Sequence, residues 1–281
     1  MAGILKVDKI QEANSGQGVE LSHKLVDTSG NTIISENNGV ATFGSSVAPS
    51  TNYTFRNKII NGNLKSARVI NQRGASSITG ATGYTYDRWY YDGSTYLYQG
   101  IEDLNVNNGT YVISWVGSDI TAEYLLSTDT TANNGWDGVG TFQTVANGGT
   151  FTVNESPEHG KHLWIRFSGT LSNLDKVMVE EGTVPTPFEH RPYGIELALC
   201  QRYYEKRIVR AVSSSWSLNS TEFLSRTFSV TKRAAPTISY TGFWSGSTPS
   251  SDSGNVDSMY WYTTSSFYSD NSATEIFDAE L

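Results

Sequence analysis

The sequence is poor in cysteine, proline and charged residues. Its 281 residues include one cysteine, Cys200, and seven prolines, and 17% of the residues are charged. A single cysteine cannot form an intrachain disulfide, and there is no C-x-x-C motif or Cys/His cluster, so disulfide scaffolds and structural zinc sites are excluded. We therefore expect no metal, no cofactor and maturation in a reducing cytoplasm.

Long apolar runs are also absent. No stretch of about 18 apolar residues occurs, and the start of the chain lacks the apolar region of a signal peptide, so we expect neither a membrane span nor secretion by a signal peptide. The net charge is −8, from 20 basic and 28 acidic residues. Because phosphate attraction needs a basic surface, this balance argues against a nucleic-acid partner.

The residues that are present favour strands and turns. Ser, Thr, Asn and Gly make up 111 of the 281 residues, and aromatic residues make up 12%. Aromatic and β-branched residues suit strands, whereas Gly and Asn suit tight turns. The composition therefore predicts an all-β protein.

Residues 1–50 contain short apolar pairs separated by turn residues. Examples are Leu25 and Val26, Ile33 and Ile34, and the turn Asn37-Asn38-Gly39 that precedes Val40. Strands this short are marginal alone. We expect this segment to need sister chains or a larger assembly to close its core.

Residues 51–191 have the alternating pattern of a compact β-sandwich. The clearest hairpin joins Arg88–Tyr91 to Ser94–Tyr98 through Asp92-Gly93, which predicts a two-residue type I′ turn. About eight strands in this length fit a jelly roll. The other predicted strands are 111–116, 122–126, 141–145, 150–153, 163–167 and 176–179.

One helix is predicted, over Ile195–Lys206, as part of a connecting segment at 192–206. It has one apolar stripe containing Ile195 and a second containing Tyr204, so we expect burial on two sides. Either one large core or a neighbouring chain would provide this burial. Four basic residues recur on about one face of this segment and could contact anionic lipopolysaccharide or pair with acidic strands of a neighbouring chain: Arg202, Lys206, Arg207 and Arg210.

Residues 207–281 return to strands, predicted at 223–230, 237–240 and 258–262. In the last of these, both faces carry large side chains, so one face is expected to meet something other than the core. Charge is unevenly distributed: residues 201–233 carry +5 and residues 234–281 carry −6. This asymmetry predicts a solvated face or contact between the two segments.

Six segments, in three regions of the chain, resemble parts of tail-fibre proteins of bacteriophages, including cyanophages. The opening of their globular domain is similar to the segments Phe55–Asn63, Asn71–Gly74 and Gly83–Trp89 of this chain. Its closing strand and following helix resemble the segments Val177–Gly194 and Glu196–Tyr204. The start of the chain, Leu5–Gln11, is similar to the virion-proximal end of such fibres.

This resemblance implies a homotrimeric, non-enzymatic virion protein made in the host cytoplasm. Residues 1–50 would attach to tail or adaptor proteins, with Leu5, Val7 and Ile10 as attachment residues. A carbohydrate-binding jelly roll at 51–191 and a C-terminal β tip domain at 207–281 would bind host polysaccharide or lipopolysaccharide. A head fibre or capsid-decorating protein is the alternative, and a glycan depolymerase is a third.

Sugar binding requires flat aromatic faces beside hydrogen-bonding groups. Aromatic residues cluster on the hairpin at 89–98, where core packing is the alternative role. The other candidates, for which core or trimer contact is again the alternative, are Trp136, Trp244, Tyr260, Trp261, Tyr262 and Tyr268.

Other chemistry has weaker signals. A depolymerase would use paired carboxylates, for which Asp87, Asp92, Glu102 and Asp103 are candidates. The spacing of His159 and His162 could suit a metal, but without further ligands we expect solvated loop histidines. No catalytic residue and no metal ligand is assigned.

Overall fold

The protein is described by a computed structural model that covers residues 55–65, 67–128, 141–154, 160–208, 222–244, 250–252, 255–263 and 268–280, together with strands at 25–26, 32–37 and 40–43. The backbone alone is described for residues 25–26, 32–37, 40–43, 222–226, 242–244, 250–252, 260–263 and 268–273. The chain divides into two compact units, Met1–Tyr53 and Thr54–Leu281.

The first unit contains a three-stranded antiparallel sheet. Its strands β1 (Leu25–Val26), β2 (Thr32–Asn37) and β3 (Val40–Phe43) lie in sequence order, with Ile34 opposite both Leu25 and Phe43. The predicted short strands are therefore confirmed here. Leu5, Val7 and Ile10 lie outside the described residues, so their attachment role stays a prediction.

Two sheets form a β-sandwich in the second unit. The larger sheet has the order β4-β5-β6-β11-β8-β9, and the smaller has the order β10-β7-β12. These strands are β4 (Gly83–Tyr84), β5 (Tyr90–Tyr91), β6 (Leu97–Ile101), β7 (Gly109–Val116), β8 (Ile120–Ser127), β9 (Gln143–Val145), β10 (Thr150–Val153), β11 (His162–Gly169) and β12 (Asp175–Glu181). All the strands that the alternating pattern predicted at 111–179 are confirmed; the jelly-roll connectivity and the trimer stay predictions.

The sandwich core forms where alternate residues of the two sheets meet. Leu163, Ile165 and Phe167 of β11 are completely buried against Ile113 of β7 and Val179 of β12. Because side chains alternate along a strand, the residues between them lie on the outer face of each sheet. The larger sheet therefore has an inner face in this core and an outer face away from it.

The hairpin of β5 and β6 has a longer loop than predicted. Tyr91 pairs with Leu97, and the backbone N–H of Asp92 donates to the carbonyl of Tyr96 over 3.0 Å, so three residues form the loop instead of two. The Asp92 carboxylate accepts bonds from the N–H groups of Ser94, Thr95 and Tyr96. The predicted type I′ turn is wrong because this side chain stabilises a wider loop, in which Gly93 alone has a positive φ.

The helix ends earlier than predicted. Helix α1 spans Tyr193–Gln201, and strand β13 begins at Tyr204. The apolar pattern continues through Tyr203 and Tyr204, but β13 (Tyr204–Ile208) pairs with a strand more than 60 residues later in the chain. Long-range pairing therefore replaces the last turns of the predicted helix.

Helix α1 lies at the surface of the unit. Of its nine residues only Cys200 is fully buried, whereas Tyr193 is 52% and Ile195 is 39% exposed. The predicted alternative in which one large core buries the helix on two sides is therefore wrong for this chain taken alone. Within the described residues, no helix has the length and apolar character needed to cross a membrane.

Two small sheets complete the second unit. They have the orders β13-β18-β15 and β14-β17-β16. Met259 and Phe277 are completely buried beside Phe228, which confirms that one face of the 258–262 strand serves a core. The remaining strands are β14 (Glu222–Thr227), β15 (Thr237–Trp244), β16 (Ser250–Asp252), β17 (Ser258–Thr263) and β18 (Tyr268–Asp278).

Candidate functional site

The predicted aromatic site residues of the C-terminal segment lie on three strands. Trp244 of β15 is the register partner of Tyr268 of β18, whereas Tyr260, Trp261 and Tyr262 lie on β17 in the other sheet. The structure describes only the backbone of these five residues, and Trp136 lies outside the described residues. Their role in glycan binding stays a prediction.

The segment that opens the resemblance to tail fibres is bound to the edge of the sandwich. Asn57 donates to the carbonyl of Val177 over 3.0 Å and accepts from the N–H of Val179 over 3.1 Å, as a neighbouring strand would. Asn61, with φ +59°, donates to the carbonyls of Ile70 and Asp87. Both side chains are buried, so these asparagines stabilise the fold.

The other two opening segments of the resemblance, Asn71–Gly74 and Gly83–Trp89, join the sandwich to the C-terminal strands. Arg73 lies 3.3 Å from both Asp278 and Glu280, and its guanidinium lies 3.7 Å from the centre of the Tyr204 ring. Arg88 is completely buried, contacts Glu280 and lies 3.5 Å from the centre of the Tyr203 ring. These arginines therefore have structural partners within the chain.

The closing part of the resemblance is also occupied by internal contacts. Arg191 donates to the carbonyls of Ile59 and Asn57 and lies 3.2 Å from Glu196. Glu189 accepts hydrogen bonds from the backbone N–H groups of Phe55 and Asn57. These residues of the motifs that resemble tail fibres thus build the framework of the second unit.

The candidate catalytic carboxylates have separate surroundings. Asp87 is buried and accepts from Gln72, and burial raises its pKa. Asp92 closes the hairpin loop; burial raises its pKa, but the backbone hydrogen bonds outweigh that effect and the net shift is downward. Glu102 is buried, and its Oε2 lies 3.0 Å from Nη2 of Arg202. Asp103 begins a short 3₁₀ turn.

His162 is buried at the start of β11, so the expectation of a solvated loop histidine is wrong for this residue. Its Nδ1 accepts a hydrogen bond from the backbone N–H of Asp103 over 3.1 Å. Burial lowers its pKa. His159 lies outside the described residues, and the part of the chain that is described holds no group of three metal-ligating side chains.

The basic residues predicted to share a helical face are divided between two elements. Arg202 follows the end of α1 and pairs with Glu102, and Arg207 lies on β13, where its Nε is 2.6 Å from Glu205. Arg207 is also the register partner of Glu275 on β18, so the oppositely charged segments do contact each other. Lys206 is exposed, and Arg210 lies outside the described residues.

The outer face of the larger sheet carries an aromatic cluster. Tyr98 lies at its centre, with ring centroids 6.3 Å from Tyr90, 6.0 Å from Tyr96 and 6.2 Å from Phe142. Tyr90, Tyr96 and Phe142 are only partly buried. Trp89 and Tyr91 of the same hairpin pack in or against the core, so only part of the predicted hairpin cluster is presented outward.

A charged pair lies within this cluster. The guanidinium of Arg166 is 3.9 Å from the ring centroids of both Tyr96 and Phe142, and its Nε donates to Glu123 over 2.8 Å. Burial lowers the pKa of Arg166, but the bond to Glu123 outweighs this effect and raises it. The guanidinium is therefore charged at neutral pH, and the side chains of Arg166 and Glu123 are 16% and 17% exposed.

We name this surface the aromatic face and define it by Tyr90, Tyr96, Tyr98, Phe142, Arg166 and Glu123. It combines ring faces with fixed hydrogen-bonding groups, which can bind the C–H and O–H groups of a sugar. Sequence reasoning included the three tyrosines among the hairpin aromatic residues but missed the other three. Only strand pairing brings them together.

Comparison of the sequence with known protein families finds no match, and comparison with curated proteins finds none either. The resemblance to tail fibres therefore stays a prediction based on the motifs themselves.

Proposed function

We propose that this chain is a phage tail-fibre protein that binds a glycan on the host surface. The observation that carries the proposal is the aromatic face, where partly buried rings surround an ion pair on the outer face of a β-sandwich. The motif resemblance supplies the biological setting.

The arrangement suits sugar recognition for a physical reason. A tyrosine ring can pack against the C–H surface of a pyranose, whereas the carboxylate of Glu123 can accept bonds from its hydroxyls. The Arg166 guanidinium contacts the rings of Tyr96 and Phe142, and its Nε donates a hydrogen bond to Glu123. Because these contacts already hold the side chains in place, they need little reordering when a sugar binds. Preorganisation reduces the entropic cost of association.

The proposal includes a homotrimer whose residues 1–50 attach to the tail or an adaptor protein. A site with a dissociation constant near 1 mM contributes only about 4 kcal/mol. Three tethered copies that engage together would raise the overall avidity by about 100-fold or more. Weak sites on a trimer are therefore sufficient for adsorption.

We propose a binding protein rather than a depolymerase. Each candidate carboxylate takes part in a contact that supports the fold, such as Asp87 with Gln72 and Glu102 with Arg202. A general acid and its partner carboxylate must instead flank a bound glycosidic bond.

The test is competition for adsorption. Purified full-length chain is added to host cells before virus, and free virus is counted. We expect the wild type to block adsorption and Tyr96→Ala to need about tenfold more protein, which corresponds to a loss of about 1.4 kcal/mol in the overall binding free energy. Tyr96→Phe, which keeps the ring, should retain most of the activity.

The control is Val116→Ala, since Val116 is 53% exposed on the opposite sheet. It should block adsorption as well as the wild type. If wild-type protein binds purified capsids and does not compete for cells, the head-fibre alternative replaces this proposal. Release of reducing ends from host polysaccharide would instead establish a depolymerase.

A further inference from the structure

A second surface feature lies on the same side of the larger sheet as the aromatic face, next to Tyr203. It is a cleft of about 150 Å³ between the segment that starts at Phe55, the end of β6 with the 3₁₀ turn that follows it, and helix α1. A water molecule takes about 30 Å³ in the liquid, so the cleft has room for a ligand larger than a single water. Its lining includes Phe55, Lys58, Glu102, Asn105, Leu199 and Tyr203.

Phe55 has an unusual conformation at the rim of the cleft. Its φ is +65°, in the left-handed region, and its side chain is 53% exposed. A bulky residue in this region is strained, and such strain persists only where the surroundings hold it. The Glu189 carboxylate accepts the N–H groups of Phe55 and Asn57 and so holds the turn that keeps this ring at the surface.

The floor and one wall of the cleft are apolar or aromatic. Tyr203 is almost completely buried beneath the Arg88 guanidinium, and Leu199 contributes a half-buried side chain from α1. A ligand that enters beside Phe55 therefore meets an aromatic ring at the rim and apolar surface below.

Polar groups line the remaining side. The Lys58 ammonium lies 3.2 Å from the Glu181 carboxylate, and this contact uses one of the three N–H donors of the lysine. The side-chain amide of Asn105 donates to the Glu102 carboxylate over 3.3 Å. Asn105 is exposed, and its side-chain amide oxygen is a further hydrogen-bond acceptor. The cleft thus offers both donors and acceptors to a hydroxylated ligand.

The charges that line the cleft are compensated. Lys58 pairs with Glu181, Glu102 lies 3.0 Å from Arg202, and Arg191 lies 3.2 Å from Glu196. Because each charged group has a partner of opposite sign, the cleft has no excess charge to attract an ionic ligand. A neutral ligand is therefore favoured over an acidic one.

We propose that this cleft is a second glycan subsite, which binds one neutral hexose residue with a C–H face against Phe55. The proposal rests on the proposed glycan-binding function and adds a location and a sugar class. Lys58 and Asn105 bind the hydroxyl groups, and Leu199 and Tyr203 contact the ring from below.

The experiment measures binding of methyl glycosides to the full-length chain by saturation-transfer NMR and titration. The probes are the neutral methyl glucoside, mannoside and galactoside, with methyl glucuronoside as the acidic comparison. We expect at least one neutral glycoside to bind in the millimolar range and the glucuronoside to bind at least tenfold more weakly.

Phe55→Gly is the decisive variant. Glycine adopts φ +65° without strain, so the change removes the ring and relieves the strain, which offsets the larger conformational entropy that glycine loses on folding. We expect the contribution of the cleft to binding to weaken at least tenfold, with an unchanged or higher unfolding temperature. Leu104→Ala is the matched control, since Leu104 is an apolar side chain next to Asn105, is 79% exposed and does not line the cleft; it should bind like the wild type.

The possible results separate this proposal from the proposed function. If Phe55→Gly binds as well as the wild type while Tyr96→Ala loses binding, the cleft proposal is overturned and glycan binding at the aromatic face remains. Absence of binding by every methyl glycoside also overturns the cleft proposal, whereas the adsorption assay decides the function. Preference for the glucuronoside overturns the assignment to a neutral sugar.

Discussion

Lys232 shows how single residues of this chain depend on a partner. Its ammonium is completely buried and contacts the Glu205 carboxylate, which also accepts from Ser229 Oγ and Arg207 Nε, each over 2.6 Å. Removal of one partner of a buried ion pair leaves an uncompensated charge in the protein interior. The free-energy cost of this charge is far larger than the stabilisation that the intact pair provides.

We therefore predict that Glu205→Gln lowers the free energy of unfolding by about 3–5 kcal/mol, as measured by urea denaturation at pH 7. Glu205→Gln combined with Lys232→Met should be less destabilised than Glu205→Gln alone. A double variant as unstable as the single one would show that the charge of Lys232 is not the cause.

The same residue predicts a pH dependence. Burial raises the pKa of Glu205, but hydrogen bonds from Arg207, Lys232 and Ser229 outweigh it and hold the pKa below its ordinary value of 4.5. A carboxyl with a lowered pKa stabilises the fold above the unfolded value, and this stabilisation is lost as the pH falls through the folded value. The free energy of unfolding should decline less steeply below about pH 4.5 in Glu205→Gln than in the wild type.

At the scale of elements, β6 and β11 meet closely on the outer face of the larger sheet. A Cβ atom on Gly100 of β6 would lie 2.8–3.0 Å from three ring atoms of Trp164 on β11. Glycine at this position therefore allows the indole to lie across the neighbouring strand, beside Tyr98 and Tyr203.

We predict that Gly100→Ala lowers the free energy of unfolding by about 1–3 kcal/mol, because the indole must shift. Gly80→Ala is the control, since a Cβ there would have no neighbour within 4 Å. Thermal unfolding compares the two variants. Equal stability would mean that Trp164 moves at no cost.

The elements differ in how far the sequence predicted them. The sandwich strands follow from alternation along the chain, because one inward face needs apolar residues at every second position. The end of α1 could not be predicted in this way, since Tyr204 pairs with Asp278, far along the sequence. The three-residue hairpin loop depends on the Asp92 side chain, which competes with the Asp-Gly turn preference.

The candidate sites were predicted less well, for two physical reasons. Alternation places Tyr90 and Tyr91 on opposite faces of the strand, but it does not say which face is the core. Arg166 and Phe142 meet only because β8 lies between β9 and β11. The left-handed conformation of Phe55 has no sequence signal, because phenylalanine is not a residue that favours this region.

At the scale of the molecule, Glu280 connects the sandwich to the C-terminal strands. It is nearly completely buried between Arg73 and Arg88 of the sandwich, two residues after the end of β18. The N–H of Ala279 also donates to the carbonyl of Tyr203 over 2.7 Å. A chain that ended at Lys206 would lose these partners and leave two arginines without their carboxylates.

We predict that Glu280→Gln weakens this connection more than it weakens either part. In hydrogen exchange, the amides of β13, β15 and β18 should exchange at least tenfold faster, whereas those of β7 and β11 should change less. Glu181→Gln is the control because Glu181 pairs with Lys58 but is 50% exposed, which makes its loss a small effect. Uniform acceleration across both parts would contradict the prediction.

The internal use of the tail-fibre-like motifs has a consequence for evolution. Asn57, Asn61, Arg73, Arg88 and Arg191 are occupied by contacts that hold the fold, whereas Phe55, Tyr96 and Phe142 are partly open to solvent. Proteins with the same motifs can therefore replace the open residues and change the ligand that they bind without rebuilding the scaffold. A shared motif of this kind reports common architecture, and it carries little information on the ligand of each protein.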